Sequence, residues 1–263
     1  MNWAVYVNAV GFVAPGLDTA ADLHAHLNGV TVTEPQGWTP APISLNPRQA
    51  RRLSESIKLS IQCAEQIAPA LPPGAGWVFA SSVGEGVTLN EILSALRQPD
   101  VMIQPVKFQN AVHNAAQGQW SIAAQAAGPG TSLAAYDDTF AAGLLKAGMQ
   151  VALEGIPVGV VAFDAPLPPP LHEKRAFALS MAAGLALSPE PTDGTLAALD
   201  LSCAAAADAP VPGSPNAADW LTESNNPVRA AIPLLERLLH KDPEPLALPV
   251  SRGTVLNVVP RYD

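Results

Sequence analysis

Hydrophobic and polar positions along the chain follow two alternating patterns. Short apolar runs rich in β-branched residues and bounded by Gly or Pro are typical of buried strands. Longer segments with apolar residues at three- and four-residue spacing are typical of helices that bury one face. Strands are predicted at residues 4–13, 76–82, 158–163, 195–204 and 254–259, and helices at residues 19–27, 47–68, 86–96, 111–124, 139–153 and 227–240.

This alternation predicts an α/β fold with helices on both faces of a central sheet. The pattern is regular up to about residue 165 and weaker beyond it. A proline-rich bridge at residues 167–171 precedes an apolar run at 175–187 that fits either a strand or a short helix, and residues 205–218 are predicted to form a surface loop.

Residues 128–155, GPGTSLAAYDDTFAAGLLKAGMQVALEG, contain the most informative motif. The segment resembles the active-site segment of ketosynthases, in which a Gly-Pro leads through a strand of small residues to an Ala-Cys at the start of a buried helix. Counted from the Gly-Pro, the family's cysteine falls on Asp137, or on Asp138 if the count slips by one residue. No cysteine occurs between Cys63 and Cys203, so the nucleophile is absent under either alignment.

A cysteine at a helix N-terminus is nucleophilic because the helix dipole and free N–H groups stabilise its thiolate. An aspartate fits the same position, where its charge is favoured by about 0.3–1 kcal/mol. An acyl-carboxylate, however, is a mixed anhydride too labile to hold a growing chain. Asp137 or Asp138 could equally cap the predicted helix. Both interpretations exclude a condensing enzyme that uses a cysteine.

The resemblance to ketosynthases covers roughly residues 1–165. Complete ketosynthases have two related βαβ repeats, and the second repeat, for which this chain is too short, supplies two catalytic histidines. None of the five histidines here lies in the family's histidine motifs. The resemblance therefore implies a thiolase-like layered fold, with the first repeat in residues 1–165 and an abbreviated extension in residues 166–263 that completes the same domain.

Within this family the chain is most similar to chain length factors, the partner subunits found with ketosynthases in aryl polyene pathways. The resemblance implies a catalytically inactive subunit that pairs with an active beta-ketoacyl synthase and shapes its acyl tunnel in polyketide or fatty-acid-type biosynthesis. It implies no cofactor, and contact with the acyl carrier protein only through the partner. The residues expected at the tunnel or interface are Phe108, Asn110, Val112, His113, Asn114, Trp120, Tyr136, Asp137 and Phe140.

Several of these residues have an equally simple structural interpretation. Phe108 and Trp120 fit core aromatic positions. Trp120 lies on the apolar side of its predicted helix. Asn110 fits the cap of that helix, and His113 fits a structural histidine.

The charge and composition exclude some classes of partner. With 14 Lys and Arg against 23 Asp and Glu, the formal net charge of −9 argues against nucleic-acid binding, which needs clustered cations. The basic cluster at Arg48, Arg51 and Arg52 fits the exposed face of a helix. Two distant cysteines offer neither a disulfide framework nor a metal site and fit a reducing compartment. Since no apolar run reaches the ~18–20 residues of a membrane span, a cytoplasmic protein is predicted.

Two other functions stay open from the sequence. Asp137 and His113 could form the acid–base pair of a decarboxylase or hydrolase of acyl thioesters, although a helix N-terminus that keeps an aspartate ionised makes it a weak base. The chain could instead be a stand-alone module that binds an acyl carrier protein, although its negative charge disfavours an acidic carrier. Phosphate binding at the Gly-Glu-Gly turn has little support, because Glu85 would repel a phosphate.

Overall fold

The computed structural model describes residues 2–33, 35–99, 101–205, 213–251 and 253–262. Its strands are β1 (Asn2–Val13), β2 (Gly76–Ala80), β3 (Gly130–Leu133), β4 (Val158–Asp164), β5 (Met181–Ser188), β6 (Ala197–Ala205), β7 (Leu246–Ser251) and β8 (Thr254–Arg261). Its helices are α1 (Ala20–Leu27), α2 (Pro47–Ala50), α3 (Glu55–Ile67), α4 (Gly86–Ala95), α5 (Pro105–Asn110), α6 (Ala115–Ala123), α7 (Thr139–Glu154), α8 (Asp219–Thr222) and α9 (Ile232–His240). Within these ranges, no helix combines the length and apolarity needed to cross a membrane.

The described strands form one sheet in the order β3-β2-β4-β5-β1-β6-β8-β7. β2 is parallel to both β3 and β4, and every other neighbouring pair is antiparallel. β5, from the second part of the chain, lies between β4 and β1 from the first part, and β6, β8 and β7 continue the sheet beyond β1. Both parts of the chain therefore contribute to one sheet.

Alternate side chains of the central strands face two helical layers. Trp77 and Phe79 of β2 pack with residues of α3 and α6, whereas Val78 and Ala80 pack with residues of α7 on the opposite face. Burial on both faces explains why these strands appear in the sequence as uninterrupted apolar runs. The predicted α/β fold with helices on both faces is confirmed.

The single helix predicted at residues 47–68 is wrong, because the chain forms two helices there. Asn46 caps α2 by accepting the N–H groups of Arg48 and Gln49, each at 3.0 Å. Ser54 then starts α3 by accepting the N–H of Ile57 at 3.3 Å. A second capping residue thus interrupts what the apolar spacing alone presents as one helix.

The helix predicted at residues 111–124 begins later than expected, and a separate helix that was not predicted precedes it. Asn110 is the last residue of α5, which begins five residues earlier at Pro105, and α6 begins at Ala115. The interpretation of Asn110 as a helix cap is therefore wrong. Proline at the first position of a helix is favoured because its missing N–H has no intrahelical partner there, and this explains the early start.

The weaker pattern after residue 165 is only partly confirmed. The apolar run at residues 175–187 contains strand β5. The predicted loop at residues 205–218 lies partly outside the described residues, and α8 begins at its end. β7 was not predicted, because its sequence LALPVS contains a proline and is short.

Candidate functional site

The turn between β3 and α7 lies where the sequence places the missing nucleophile. A Cβ at Gly128 would lie 2.0 Å from the carbonyl oxygen of Ala75, so only glycine fits here. The carbonyl of Pro129 accepts the N–H of Trp77 at 2.8 Å and fixes the segment against β2. We call residues 135–138, between β3 and α7, the elbow.

The elbow has an unusual backbone conformation. Tyr136 has a φ of 55°, in the left-handed region that bulky residues rarely adopt. The first residue of α7 holds the turn, because the Thr139 hydroxyl donates to the Tyr136 carbonyl at 2.7 Å and accepts the N–H of Ala135 at 3.1 Å. The position predicted for the nucleophile thus follows a strained residue at the start of a helix.

The two aspartates of the elbow do not cap α7. Asp138 occupies the N-cap position, but its side chain accepts no capping hydrogen bond, so the capping interpretation is wrong. Asp137 is 65% exposed and forms an ion pair in which its Oδ1 lies 2.7 Å from Nη1 of Arg175. Burial, and then the neighbouring charge of Asp137, raise the pKa of Asp138.

Arg175 comes from the loop between β4 and β5 and covers the elbow. Its guanidinium carbon lies 3.6 Å from the ring centroid of Tyr136 and 5.1 Å from that of Phe177, which are cation–π distances. Its side chain is only 13% exposed. No pattern in the sequence indicated this contact, because Arg175 lies far from the elbow along the chain.

A cavity of about 270 Å³ opens beside the ion pair. Its lining is formed by the elbow, by the loop that contains Arg175 and by the turn before α9. The lining residues are Asp137, Lys174, Arg175, Ala176, Phe177, Asn225, Pro227, Arg229 and Ala230. Neither a cysteine nor a histidine is among these described residues, so the cavity lacks the groups that a condensing site uses.

A second polar cluster joins the ends of β2 and β4. Asp164 is fully buried, and its carboxylate accepts the Ser81 hydroxyl at 2.8 Å and the N–H of Ser82 at 3.0 Å. Burial raises the pKa of Asp164 to about 6, although these hydrogen bonds lower it. Asn226 donates to the carbonyl of Asp164 at 2.9 Å. The cluster ties two parallel strands to the segment before α9.

His113 belongs to this second cluster and not to the elbow. Its Nε2 lies 3.0 Å from the carbonyl oxygen of Ser81. Its ring also packs on Gly84, where a Cβ would come within 3.0 Å of the imidazole. Asp137 pairs instead with Arg175, so the structure gives the two members of the postulated acid–base pair different partners.

Helices α4 and α5 expose large apolar side chains. Leu89 and Leu93 of α4 and the residue after it, Leu96, recur at i, i+4 and i+7, the spacing of one side of a helix. Phe108 of α5 is 65% exposed, and the ion pair of Lys107 with Glu91, at 2.7 Å, links the two helices. We call the exposed residues Leu89, Leu93, Leu96, Met102, Phe108 and Val112 the apolar face.

The predicted site residues fall into a buried group and an exposed group. Trp120 is buried and packs edge-on against Trp77 at 4.8 Å, so it is a core aromatic. Phe140 is buried in the core on the other face of the sheet, and buried Asn110 accepts a hydrogen bond from Gln119 at 3.1 Å. His113, Asn114, Tyr136 and Asp137 join Phe108 and Val112 as exposed residues.

Strand β3 forms one end of the sheet. It pairs only with β2, so the backbone groups of its outer edge have no strand beside them in the described part of the chain. Such an edge can accept a strand from another chain. The sequence did not indicate this property, because the position of a strand within a sheet depends on long-range pairing.

The comparison with known families decides the classification. The model of the beta-ketoacyl synthase N-terminal domain matches residues 30–242. The chain belongs to this family. The comparison with curated proteins found no match to the chain.

Solved structures extend the likeness of this ketosynthase-family chain over its whole length. A chain of the complex of the ketosynthase ApeO with its chain length factor ApeC from Xenorhabdus doucetiae is 20% identical, with a TM-score of 0.72 over 97% of this chain and 99% of that one. A chain of the ishigamide ketosynthase/chain length factor is 13% identical, with a TM-score of 0.73 over 98% of this chain and 99% of that one. A chain of AntDE:AntF, a type II polyketide acyl-carrier protein in complex with its ketosynthase, is 13% identical, with a TM-score of 0.75 over 100% of both chains. The thiolase-like fold is confirmed.

Proposed function

We propose that this chain is a non-catalytic partner subunit, a chain length factor, for an active beta-ketoacyl synthase. The observation that carries the proposal is the elbow, where Asp137 stands at the nucleophile position and is ion-paired with Arg175. A carboxylate cannot hold an acyl chain as a thiolate does. The likeness to chains from complexes of a ketosynthase with a chain length factor supports the same assignment.

Two surfaces support pairing with another subunit. The outer edge of β3 can continue the sheet into a partner, and the apolar face presents six large side chains that favour removal from water. The partner is a beta-ketoacyl synthase, and the acyl carrier protein meets this chain only through it. The proposed function requires no cofactor.

The proposed mechanism is steric. Adding a two-carbon unit to a chain in an apolar tunnel gains roughly 1.6 kcal/mol at ~0.8 kcal/mol per CH₂, so a blocked end disfavours the next step by about tenfold. Phe108, which projects from the apolar face, is the proposed wall. The product is a polyketide of the aryl polyene type or a fatty-acid-like chain.

The proposal also covers the domain organisation of the chain and its cellular location. Residues 1–165 correspond to the ketosynthase-like first repeat, and residues 166–263 form an abbreviated extension that completes the same domain. Cys63 and Cys203 are both free, which fits the reducing cytoplasm.

Coexpression with a ketosynthase encoded beside this chain tests the proposal. We expect a stable heterodimer on size-exclusion chromatography, and we expect Phe108→Ala to lengthen the products of the complex. Leu153→Ala is the matched control, because Leu153 is similarly exposed but lies outside the apolar face on α7. Absence of a complex, or equal product lengths for both variants and the parent, would contradict the proposal.

A further inference from the structure

The cavity beside the elbow carries the opposite charge to the chain as a whole. Lys174, Arg175 and Arg229 line it and face one carboxylate, Asp137. The formal balance of the lining is therefore +2 (three cations less one anion), on a chain with a net charge of −9. Concentrated positive potential in a concave site attracts anions.

Arg175 has unused hydrogen-bonding capacity. Its Nη1 contacts Asp137, whereas Nε and Nη2 are shielded from solvent and have no hydrogen-bond partner among the described residues. Nε and Nη2 lie on one edge of the guanidinium, the geometry that binds two oxygens of a carboxylate or phosphate. Because a buried donor without a partner is unfavourable, an acceptor at this edge would be stabilised.

Two residues with left-handed backbone conformations lie at the cavity or against the arginine that lines it. Asn225 lines it with a φ of 57°, and Tyr136, with a φ of 55°, stacks on Arg175. Left-handed conformations of residues other than glycine tend to occur at ligand sites. Tyr136 is 62% exposed and lies against the face of the guanidinium, so it leaves the Nε and Nη2 edge unpaired.

We propose that the elbow cavity binds a small oxyanion, a carboxylate or a phosphate, through the free edge of Arg175 together with Lys174 and Arg229. Asp137 contacts Nη1 of Arg175, outside the free edge, and its negative charge opposes the binding of an anion. The cavity volume of about 270 Å³ suits a small anion, because pockets for drug-sized ligands are larger, at roughly 300–1,000 Å³.

Calorimetric titration of the full chain, alone or in its complex, tests the proposal with malonate, inorganic phosphate and neutral malonamide. Malonate or phosphate should bind with a dissociation constant of about 1 mM or below, and malonamide should not bind. The anion with the lower dissociation constant shows whether the site prefers a carboxylate or a phosphate. Affinity should fall as ionic strength rises.

Substitutions at the cavity test the site, because each is expected to change the affinity for the anion in a stated direction. Lys174→Gln or Arg229→Gln should weaken binding roughly three- to tenfold, and Arg175→Lys should also weaken it, because charge is kept but the two-donor edge is lost. Asp137→Asn should tighten binding by a similar factor, an effect that damage to the fold cannot produce. Arg261→Gln, which removes an equal charge and breaks an exposed ion pair outside the cavity, is the control and should change nothing.

The proposal is overturned if neither anion binds at up to about 10 mM, if malonamide binds equally, or if Asp137→Asn does not tighten binding. None of these results bears on subunit pairing, which the coexpression experiment measures separately. The oxyanion site and the proposed partner role therefore fail or succeed independently.

Discussion

Arg175 contacts residues that meet only in the folded chain. It forms an ion pair with Asp137 and stacks on Tyr136. Counting from the Gly-Pro was enough to place Asp137 at the elbow. The partner of Asp137 could not be found this way, because no local pattern relates a residue to a loop that the fold brings against it.

Asp164 should make the stability of the chain depend on pH. Its folded-state pKa is about 6, above the ordinary value of 3.8, so between these values the folded chain retains a proton that the unfolded chain has lost. Its contribution to stability is therefore present below about pH 4 and lost as pH rises through 6, a decrease of roughly 2–3 kcal/mol. The raised pKa values of Glu85 and Asp138 act in the same direction.

Urea unfolding between pH 4 and pH 7 measures this effect. Asp164→Asn should flatten the decrease, whereas Asp193→Asn, at an exposed aspartate, should leave it intact. A parent chain whose stability increases with pH over this interval would contradict the assigned direction.

Trp120 and Phe108 should differ sharply in their effect on folding. Trp120→Ala removes a buried indole that packs against Trp77 and should cost about 3–5 kcal/mol. Phe108→Ala changes an exposed side chain and should alter the stability of the free chain by only about 0.5 kcal/mol. Denaturant midpoints measure both, and similar losses for the two variants would contradict these placements.

At the scale of elements, apolar spacing identified most helices and strands but not their boundaries. Ser54 caps a second helix inside a segment whose spacing looked continuous, and Pro105 begins a helix that was not predicted. A helix was predicted over residues 86–96, which include Leu89, Leu93 and Leu96. Periodicity does not say whether a stripe faces the core or the surface, so the apolar face and the free edge of β3 required the structure.

The start of α7 offers a test of what holds the elbow. Thr139→Val keeps the shape of the side chain but removes both hydrogen bonds to the elbow, and it should destabilise the chain by about 1–2 kcal/mol. Asp138→Ala should cost less, because its side chain makes no capping bond. Thermal unfolding of the two variants distinguishes them, and a larger loss for Asp138→Ala would restore the capping interpretation.

At the scale of the whole molecule, the sheet interleaves the two parts of the chain. β5 lies between β4 and β1, so the second part supplies an interior strand as well as one end of the sheet. The α/β class followed from the sequence because it depends on the succession of elements. The strand order did not, since antiparallel pairing of β1 with β5 and β6 joins residues that are distant along the chain.

The central proposal is that this chain uses a ketosynthase-type fold without carrying the growing acyl chain. Intact-protein mass spectrometry of the complex with the proposed ketosynthase partner, after incubation with an acyl donor during turnover, tests it most directly. We predict an acyl mass increment on the partner alone and an unmodified mass for this chain. An acyl adduct on this chain that forms and disappears at the rate of product formation would contradict the claim.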